Sequence, residues 1–248
     1  MIETIKNSLG EAIDFSLRKG THNSERSDWV VVLGHGVTGD KDRPVISDTA
    51  NALNAAGFDT FRFSFSGNGE SEGHFVDSNV SKEVSDLGAV LDAVSKTYSK
   101  ICYIGHSMGA AVGVVRAAGD QRIDALVSIA GMVDTKAFAE TEFGEETPDE
   151  GLMWEEPDCP LSSSFMKDLC VTIGSVESLV EVIEVPWLLV HGLADDVVLP
   201  KDTKRVKEIK GVAAEVFYVD GADHSFNGPG HKQALVNGVV EWLSKLPA

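Results

Sequence analysis

Ile101-Cys102-Tyr103-Ile104-Gly105-His106-Ser107-Met108-Gly109-Ala110-Ala111-Val112-Gly113-Val114-Val115-Arg116-Ala117 passes from an apolar run, through two glycines that bracket a serine, into a helix-forming run. The first four residues read as a buried strand, and Ala110 to Ala117 read as the helix that follows it. The turn between them is so tight that Ser107 is forced into a strained backbone conformation. Its hydroxyl is thereby lifted to the carboxyl edge of the sheet. A side chain at 105 or 109 would collide with the neighbouring strand or helix, so only glycine fits there. The unpaired N–H groups at the start of the helix lie beneath the hydroxyl. G-x-S-x-G alone is a common chance match; with a strand before it and a helix after it, it points to a reactive serine.

Outward from this segment the chain alternates between strand and helix. Two short β-like segments, near residues 2–6 and 12–18, precede a polar turn over 20–28. Strand 29–33 leads to a helix over about 44–56, with Pro44 suited to its first turn and Gly57 to its C-cap. Strand 60–65 leads to a helix over about 82–98, where Val84, Leu87, Leu91 and Val94 recur at helical spacing. Strands at 125–130, 187–191 and 214–219 follow the segment around Ser107, and a last helix covers about 232–246. Several strands are almost wholly apolar, as in a parallel sheet covered on both faces. The expected architecture is a doubly wound, mostly parallel α/β sheet. Residues 1–131 and 185–248 form its core, and 132–184 are an insertion.

The motifs resemble those of the α/β-hydrolase superfamily, and the resemblance spans nearly the whole chain. Trp29-Val30-Val31-Val32-Leu33 followed by Gly34-His35-Gly36-Val37-Thr38-Gly39 is similar to the family's oxyanion strand and loop. Phe61 to Ser71 resembles its glycine-rich loop. The segment Trp187 to Val198 resembles the strand and loop that carry the acid, and Gly221-Ala222-Asp223-His224-Ser225-Phe226 the loop that carries the base. Ser, Asp, His is the chain order this fold uses. Within the superfamily the short insertion and His35 to Lys41 look most like small bacterial carboxylesterases of the cinnamoyl/feruloyl esterase type. Many relatives have an acid where this chain has Ser64, so an ion pair bracing that loop is not expected. The insertion at 132–184 is implied to be a cap over the site. Its apolar residues, Phe138, Phe143, Met153, Trp154, Phe165 and Met166, would either rim a substrate pocket or pack the insert onto the core.

A serine hydroxyl needs a base to take its proton as it attacks, and the resemblance gives that role to His224. A carboxylate must hold the imidazole and balance its charge. Asp195 and Asp196 are adjacent, so one of them faces the base. The family pattern G-x-x-D-x-x-V, met at Gly192, Asp195 and Val198, favours Asp195. Asp223 is too close along the chain to aim at its neighbour. The negative oxygen of the intermediate requires preorganised N–H donors. One is Met108, after the nucleophile, and the other, by resemblance, is Val37. Of the remaining histidines, His35 and His106 would shape their loops, and His191 ends a strand.

Composition narrows the alternatives. The chain has 248 residues, 43% of them apolar, enough for a full core. A net charge of −18 disfavours nucleic-acid and anionic-membrane partners. The acids concentrate between Glu140 and Asp158, as a solvated surface or as a region that steers a cationic substrate. No apolar stretch approaches the about 20 residues of a bilayer span, and Met1 to Asn7 lacks a secretion pattern. Cys102, Cys159 and Cys170 form no C-x-x-C pair, and a Cys159–Cys170 bridge is not expected. These features point to the cytoplasm. Neither a metal nor a cofactor is implied, and the expected partner is a small ester; a homodimer is compatible with the sequence. Gly34 to Gly39 also spells G-x-G-x-x-G, but Asp40 to Pro44 delays the helix and the next strand lacks the acid a dinucleotide site needs. The runner-up chemistries are thioester and amide hydrolysis by the same three residues, and a noncatalytic binding protein on the same fold is the reading furthest from them.

Overall fold

The computed structural model describes residues 3–21 and 28–247. Most of the polar turn expected over 20–28, and the start of the first β-like segment, lie outside the described residues. A two-stranded hairpin of β1 (Ile5–Lys6) and β2 (Ala12–Ile13) stands apart from a seven-stranded sheet. The sheet comprises β3 (Phe15–Arg18), β4 (Trp29–Gly34), β5 (Asp59–Phe63), β6 (Lys100–His106), β7 (Ala125–Ile129), β8 (Trp187–Gly192) and β9 (Ala214–Val219). Their order is β3-β5-β4-β6-β7-β8-β9, with β3 antiparallel to β5 and all other pairs parallel. The expected doubly wound sheet is what forms.

Side-chain alternation builds a core on each face. Val30, Val32, Ile101 and Tyr103 pack into one, while Val31, Leu33, Cys102 and Ile104 pack into the other. Each such side chain, fully withdrawn from water, contributes about 1.5–3 kcal/mol. Helices α1 (Pro44–Ala55) and α8 (His231–Lys245) cover one face; α2 (Val80–Val94) and α3 (Met108–Ala117) cover the other. Pro44 opens α1, and Gly57, at φ +97°, follows its end in the left-handed region.

Several boundaries move, each for a visible reason. β5 stops at Phe63 rather than 65 because the Ser64 N–H turns to Asp14 O and the Phe65 N–H to the His35 ring. α2 starts at Val80, since the Asn79 side chain caps it by accepting the Lys82 N–H at 2.9 Å. It ends at Val94 rather than 98, and Tyr98 instead donates to Asp59. A further helix, α7 (Lys201–Lys210), lies between β8 and β9, where the sequence carries no helical signal: only Val206 and Ile209 in it are apolar, too narrow a stripe to show. Ser64 accepts the Lys41 N–H at 3.1 Å, while Lys41 pairs with Asp14 and Arg62 with Asp42.

The insertion between β7 and β8 holds α4 (Thr135–Phe143), α5 (Ser163–Lys167), a π-helical stretch (Asp168–Ile173) and α6 (Glu177–Val180). Phe138, Phe143, Met153 and Phe165 are buried in continuity with the main core. Asp168 ties the insert to α2, accepting from the Ser81 hydroxyl at 2.6 Å and the Ser81 N–H at 3.0 Å. Cys102, Cys159 and Cys170 are free thiols. Among the described residues no helix is long and apolar enough to cross a membrane.

The chain leaves β4 toward β5 on one side and later returns to lay β6 on the other. The carboxyl ends of β4 and β6 therefore flank the point where connections diverge, the ordinary place for a crevice in an open α/β sheet. A Cβ on Gly109 would stand 2.8 Å from Gly34 O and closer still to His35 O, both backbone atoms. We predict that Gly109→Ala lowers the melting temperature by several degrees, corresponding to about 1–3 kcal/mol of overpacking strain. An unchanged melting temperature would mean that β4 and the elbow are not in close contact.

Candidate active site

Ser107 lies between β6 and α3 with φ 54° and ψ −119°, a conformation that non-glycine residues avoid. The surroundings enforce it. Its N–H donates to Ile129 O at 3.0 Å, and its carbonyl accepts from Ala110 and Met132. Gly105 sits so close to α3 that a Cβ would reach 2.5 Å from the Ala110 nitrogen. The strain and the two close glycines expected at this turn are both present.

Asp195, on the loop after β8, is 4% exposed and fully engaged. Its Oδ1 accepts the Val197 and Val198 N–H groups at 3.0 and 2.9 Å. Its Oδ2 faces Nδ1 of His224 at 2.9 Å and Nε2 of His191 at 3.3 Å. Burial alone would raise its pKa, but the hydrogen bonds from His191 and His224 and their charges outweigh it, and the carboxyl is held far below its ordinary range. Asp196 is exposed, and Asp223 accepts from the Asn227 N–H and side chain, so neither competes for the base.

His224 reaches this position because its loop is anchored on both sides. The Ala194 N–H donates to Ala222 O at 3.0 Å, joining the loop after β8 to the loop after β9, and Phe226 is wholly buried with φ 56°. With Nδ1 against a carboxylate, that nitrogen carries a proton, and Nε2 is the ring nitrogen turned away from Asp195. Ser107 and His224 line one cavity of about 360 Å³. No hydrogen bond joins the Ser107 hydroxyl to the imidazole among the described residues. Such contacts are often long before substrate arrives.

The loop after β4 comes directly against Ser107: a Cβ on Gly36 would be 2.8 Å from Ser107 Cβ. His35, 1% exposed, accepts the Phe65 N–H at Nε2 (3.0 Å) and so carries its proton on Nδ1, which donates to Gly36 O at 2.8 Å. The Gly39 N–H donates to the same oxygen at 3.1 Å, with Thr38 at φ 55° closing the turn. The Gly36 carbonyl is thus held from two directions. The Val37 N–H, on the opposite side of that peptide, is oriented with it. Among the described residues neither the Val37 nor the Met108 N–H donates to a protein acceptor. Burial pushes the His35 pKa from 6.5 to about 4, so the ring stays neutral near pH 7.

His106 donates to the carbonyl of His224 at 3.1 Å and packs its ring 4.9 Å from the His224 ring. Burial, and then repulsion from His224, lower its pKa to about 3. Both histidines expected to shape loops do so. His191, which sequence alone marks only as the end of a strand, is part of the same arrangement.

The cavity is completed by Arg43 and Val45 at the start of α1, by Val197 and Asn227, and by Trp154 and Glu156 from the insertion. Trp154 (φ 50°) and Glu155 (φ 60°) are both in the left-handed region. The Trp154 indole is held there by donation to Glu142 at 2.8 Å and by Phe143, 4.9 Å from its ring. Of the apolar residues on the insertion, Trp154 lines this cavity while Phe138, Phe143, Met153 and Phe165 pack inside. The insertion thus lends Trp154 to the cavity wall and packs its other large apolar side chains against the core. Among the described residues no group of three or more His, Cys, Asp or Glu side chains could hold a metal ion.

Comparison with known proteins agrees with the motifs. The family model for serine aminopeptidase, S33, matches residues 25–145, just under half of the chain. Ferulic acid-bound Est1E from Butyrivibrio proteoclasticus superposes with a TM-score of 0.86 at 24% identity, covering 98% of each chain. The Pyrococcus furiosus esterase Pf2001 gives 0.76 at 20% identity over 98% of this chain and 91% of its own. A monoacylglycerol lipase from Paleococcus ferrophilus gives 0.74 at 21% identity, covering 93% and 98%. No curated protein matches. In fold the chain is an α/β hydrolase, in agreement with the resemblance read from its sequence.

The geometry distinguishes the two adjacent acids. Asp195→Asn should lower turnover on the order of 10³–10⁴-fold by upsetting the tautomer of His224, with Asp196→Asn within a few-fold of wild type. Steady-state kinetics on a chromogenic ester measure both. The opposite ranking would assign the acid to Asp196.

Proposed function

We propose that this protein is a serine hydrolase that cleaves carboxylic esters of small acyl or aryl groups through an acyl-enzyme. The observation that carries the reading is the His224–Asp195 pair, 2.9 Å apart, whose imidazole lines the same cavity as a serine held in strained backbone. Nε2 of His224 takes the Ser107 proton as Oγ bonds to the ester carbonyl carbon. The carbonyl π electrons move to oxygen, where the N–H groups of Val37 and Met108 stabilise the charge. His224 then delivers the proton to the leaving alcohol as the C–O bond breaks. Water repeats the sequence on the acyl-serine, releasing the acid and restoring the hydroxyl. Asp195, kept ionised by its own donors, balances the imidazolium in both halves.

Thioesters and amides need the same machinery, and the serine aminopeptidase match motivates testing amides directly. The volume of about 360 Å³ suits a small-molecule substrate. A noncatalytic protein on this fold would have no reason to keep the base–acid pair. The decisive experiment is labelling with a fluorophosphonate, alongside p-nitrophenyl esters of graded length, methyl cinnamates and aminoacyl anilides. We expect stoichiometric label on Ser107, absent in Ser107→Ala, with esters turned over faster than anilides. No label on the folded protein would refute the enzyme assignment; faster anilide cleavage would make it an amidase.

A further inference from the structure

His191 is the last side chain of β8 before its closing glycine, and none of its ring is exposed. Nε2 lies 2.8 Å from Val198 O, an atom that only accepts, so this nitrogen carries a proton. The same Nε2 is 3.3 Å from Asp195 Oδ2, the oxygen that also faces His224 Nδ1 at 2.9 Å. On the far side of the ring, Nδ1 is 2.8 Å from the Thr203 hydroxyl on α7. The α7 helix is itself anchored: the Asp202 carboxylate accepts the Val133 and Asp134 N–H groups beyond the end of β7. A chain of contacts thus runs from α7 through Thr203 and His191 to the carboxylate that serves the base.

We infer that His191 is a positioning residue for ester hydrolysis, holding the acid loop and sharing Asp195 Oδ2 with His224, and so setting the pH range in which the base works. This rests on the proposed triad. The His191 proton draws part of the charge on Oδ2 that would otherwise stabilise imidazolium at His224. Its ring also fixes Val198 O, and with it the turn whose Val197 and Val198 N–H groups hold Oδ1. Removing the ring has two separable consequences. The carboxylate becomes less well placed, which lowers turnover. It also becomes freer to hold His224 protonated, which moves the acid limb of the kcat/KM profile to higher pH. The other titratable groups here do not duplicate this role. His106 faces His224 from the elbow and contacts its carbonyl and ring. Tyr218 lies opposite His191 in the β8–β9 register. Asp202 is turned to backbone N–H groups. His191 does not line the cavity with Ser107, so substrate binding should be little affected.

The test compares wild type with His191→Leu, His191→Gln and Thr203→Val, measuring kcat and KM for p-nitrophenyl butyrate across pH, with circular dichroism as a check on folding. In His191→Leu we expect kcat about tenfold or more lower, KM within about twofold, and the acid limb raised by about 0.5–1 pH unit, the net worth of one ordinary hydrogen bond. His191→Gln, which keeps an N–H donor near the Nε2 position, should restore much of the turnover and return the limb toward wild type. Thr203→Val should shift the limb in the same direction by less. A role in packing alone would lower thermal stability without moving the limb. A folded His191→Leu with an unmoved limb overturns the inference. Should that variant not fold, an unmoved limb in Thr203→Val overturns it equally. If the wild type is neither labelled by a fluorophosphonate nor active on esters, the hydrolase reading itself fails; if it is labelled and the limb stays fixed, only the role of His191 does.

Discussion

β6 must end and α3 begin within the span of a single residue while both remain packed against β4. This close approach determines the rest. Gly105 leaves no room on the side of α3, Gly109 leaves none on the side of β4, and Ser107 between them takes a backbone conformation costing about 1–3 kcal/mol. The cost is met by the buried strands on either side, whose side chains fill both cores. A looser turn would let the serine relax, and its hydroxyl would then leave the crevice where the β4 loop and the base loop meet.

Three further histidines, His35 and His106 beside Ser107 and His191 behind Asp195, each use the ring to hold polar backbone in place. His35 secures the peptide that orients the Val37 N–H. His106 holds the carbonyl of His224, and His191 holds that of Val198. The arrangement follows from an acute local need. Loops that deliver chemistry to one point carry unpaired carbonyls, and burying one without a donor costs about 1–3 kcal/mol. A neutral imidazole supplies a donor together with an acceptor or an apolar face. For His35 and His106 burial enforces that neutral state, with pKa values lowered to about 4 and about 3. These two rings therefore add no positive charge to the cavity near pH 7.

How much of this was legible in the sequence depended on whether a residue's role leaves a local pattern. The strands were readable because a sheet buried on both faces demands continuous apolar runs, as at Val30 to Leu33. Ser107 was readable because steric demands fix its neighbours as glycine. Asp195 was separable from Asp196 by its spacing to Gly192 and Val198, and the Val197 and Val198 N–H donors explain that spacing. The α7 helix was not readable, since its exposed surface allows ten nearly all-polar residues. With α7 hidden, so was Thr203, and with it the significance of His191. The end of β5 was equally hidden: Phe65 looks like strand, but its N–H is taken by the His35 ring, thirty positions away in the chain. Trp154 stands out in sequence only as one of several apolar residues on the insertion; its left-handed backbone follows from packing on Phe143 and a bond to Glu142 rather than from its neighbours in sequence.

Ester cleavage by this protein requires Ser107, His224 and the two backbone N–H groups to converge on one reacting atom. The most direct measurement is a crystal structure of the protein after reaction with a fluorophosphonate, whose tetrahedral phosphorus mimics the intermediate. The account predicts a covalent bond from Ser107 Oγ to phosphorus, with the phosphoryl oxygen about 2.7–3.1 Å from both the Val37 and Met108 nitrogens, and His224 Nε2 hydrogen-bonded to an oxygen on the adduct. A phosphoryl oxygen turned to solvent, away from both nitrogens, would contradict it.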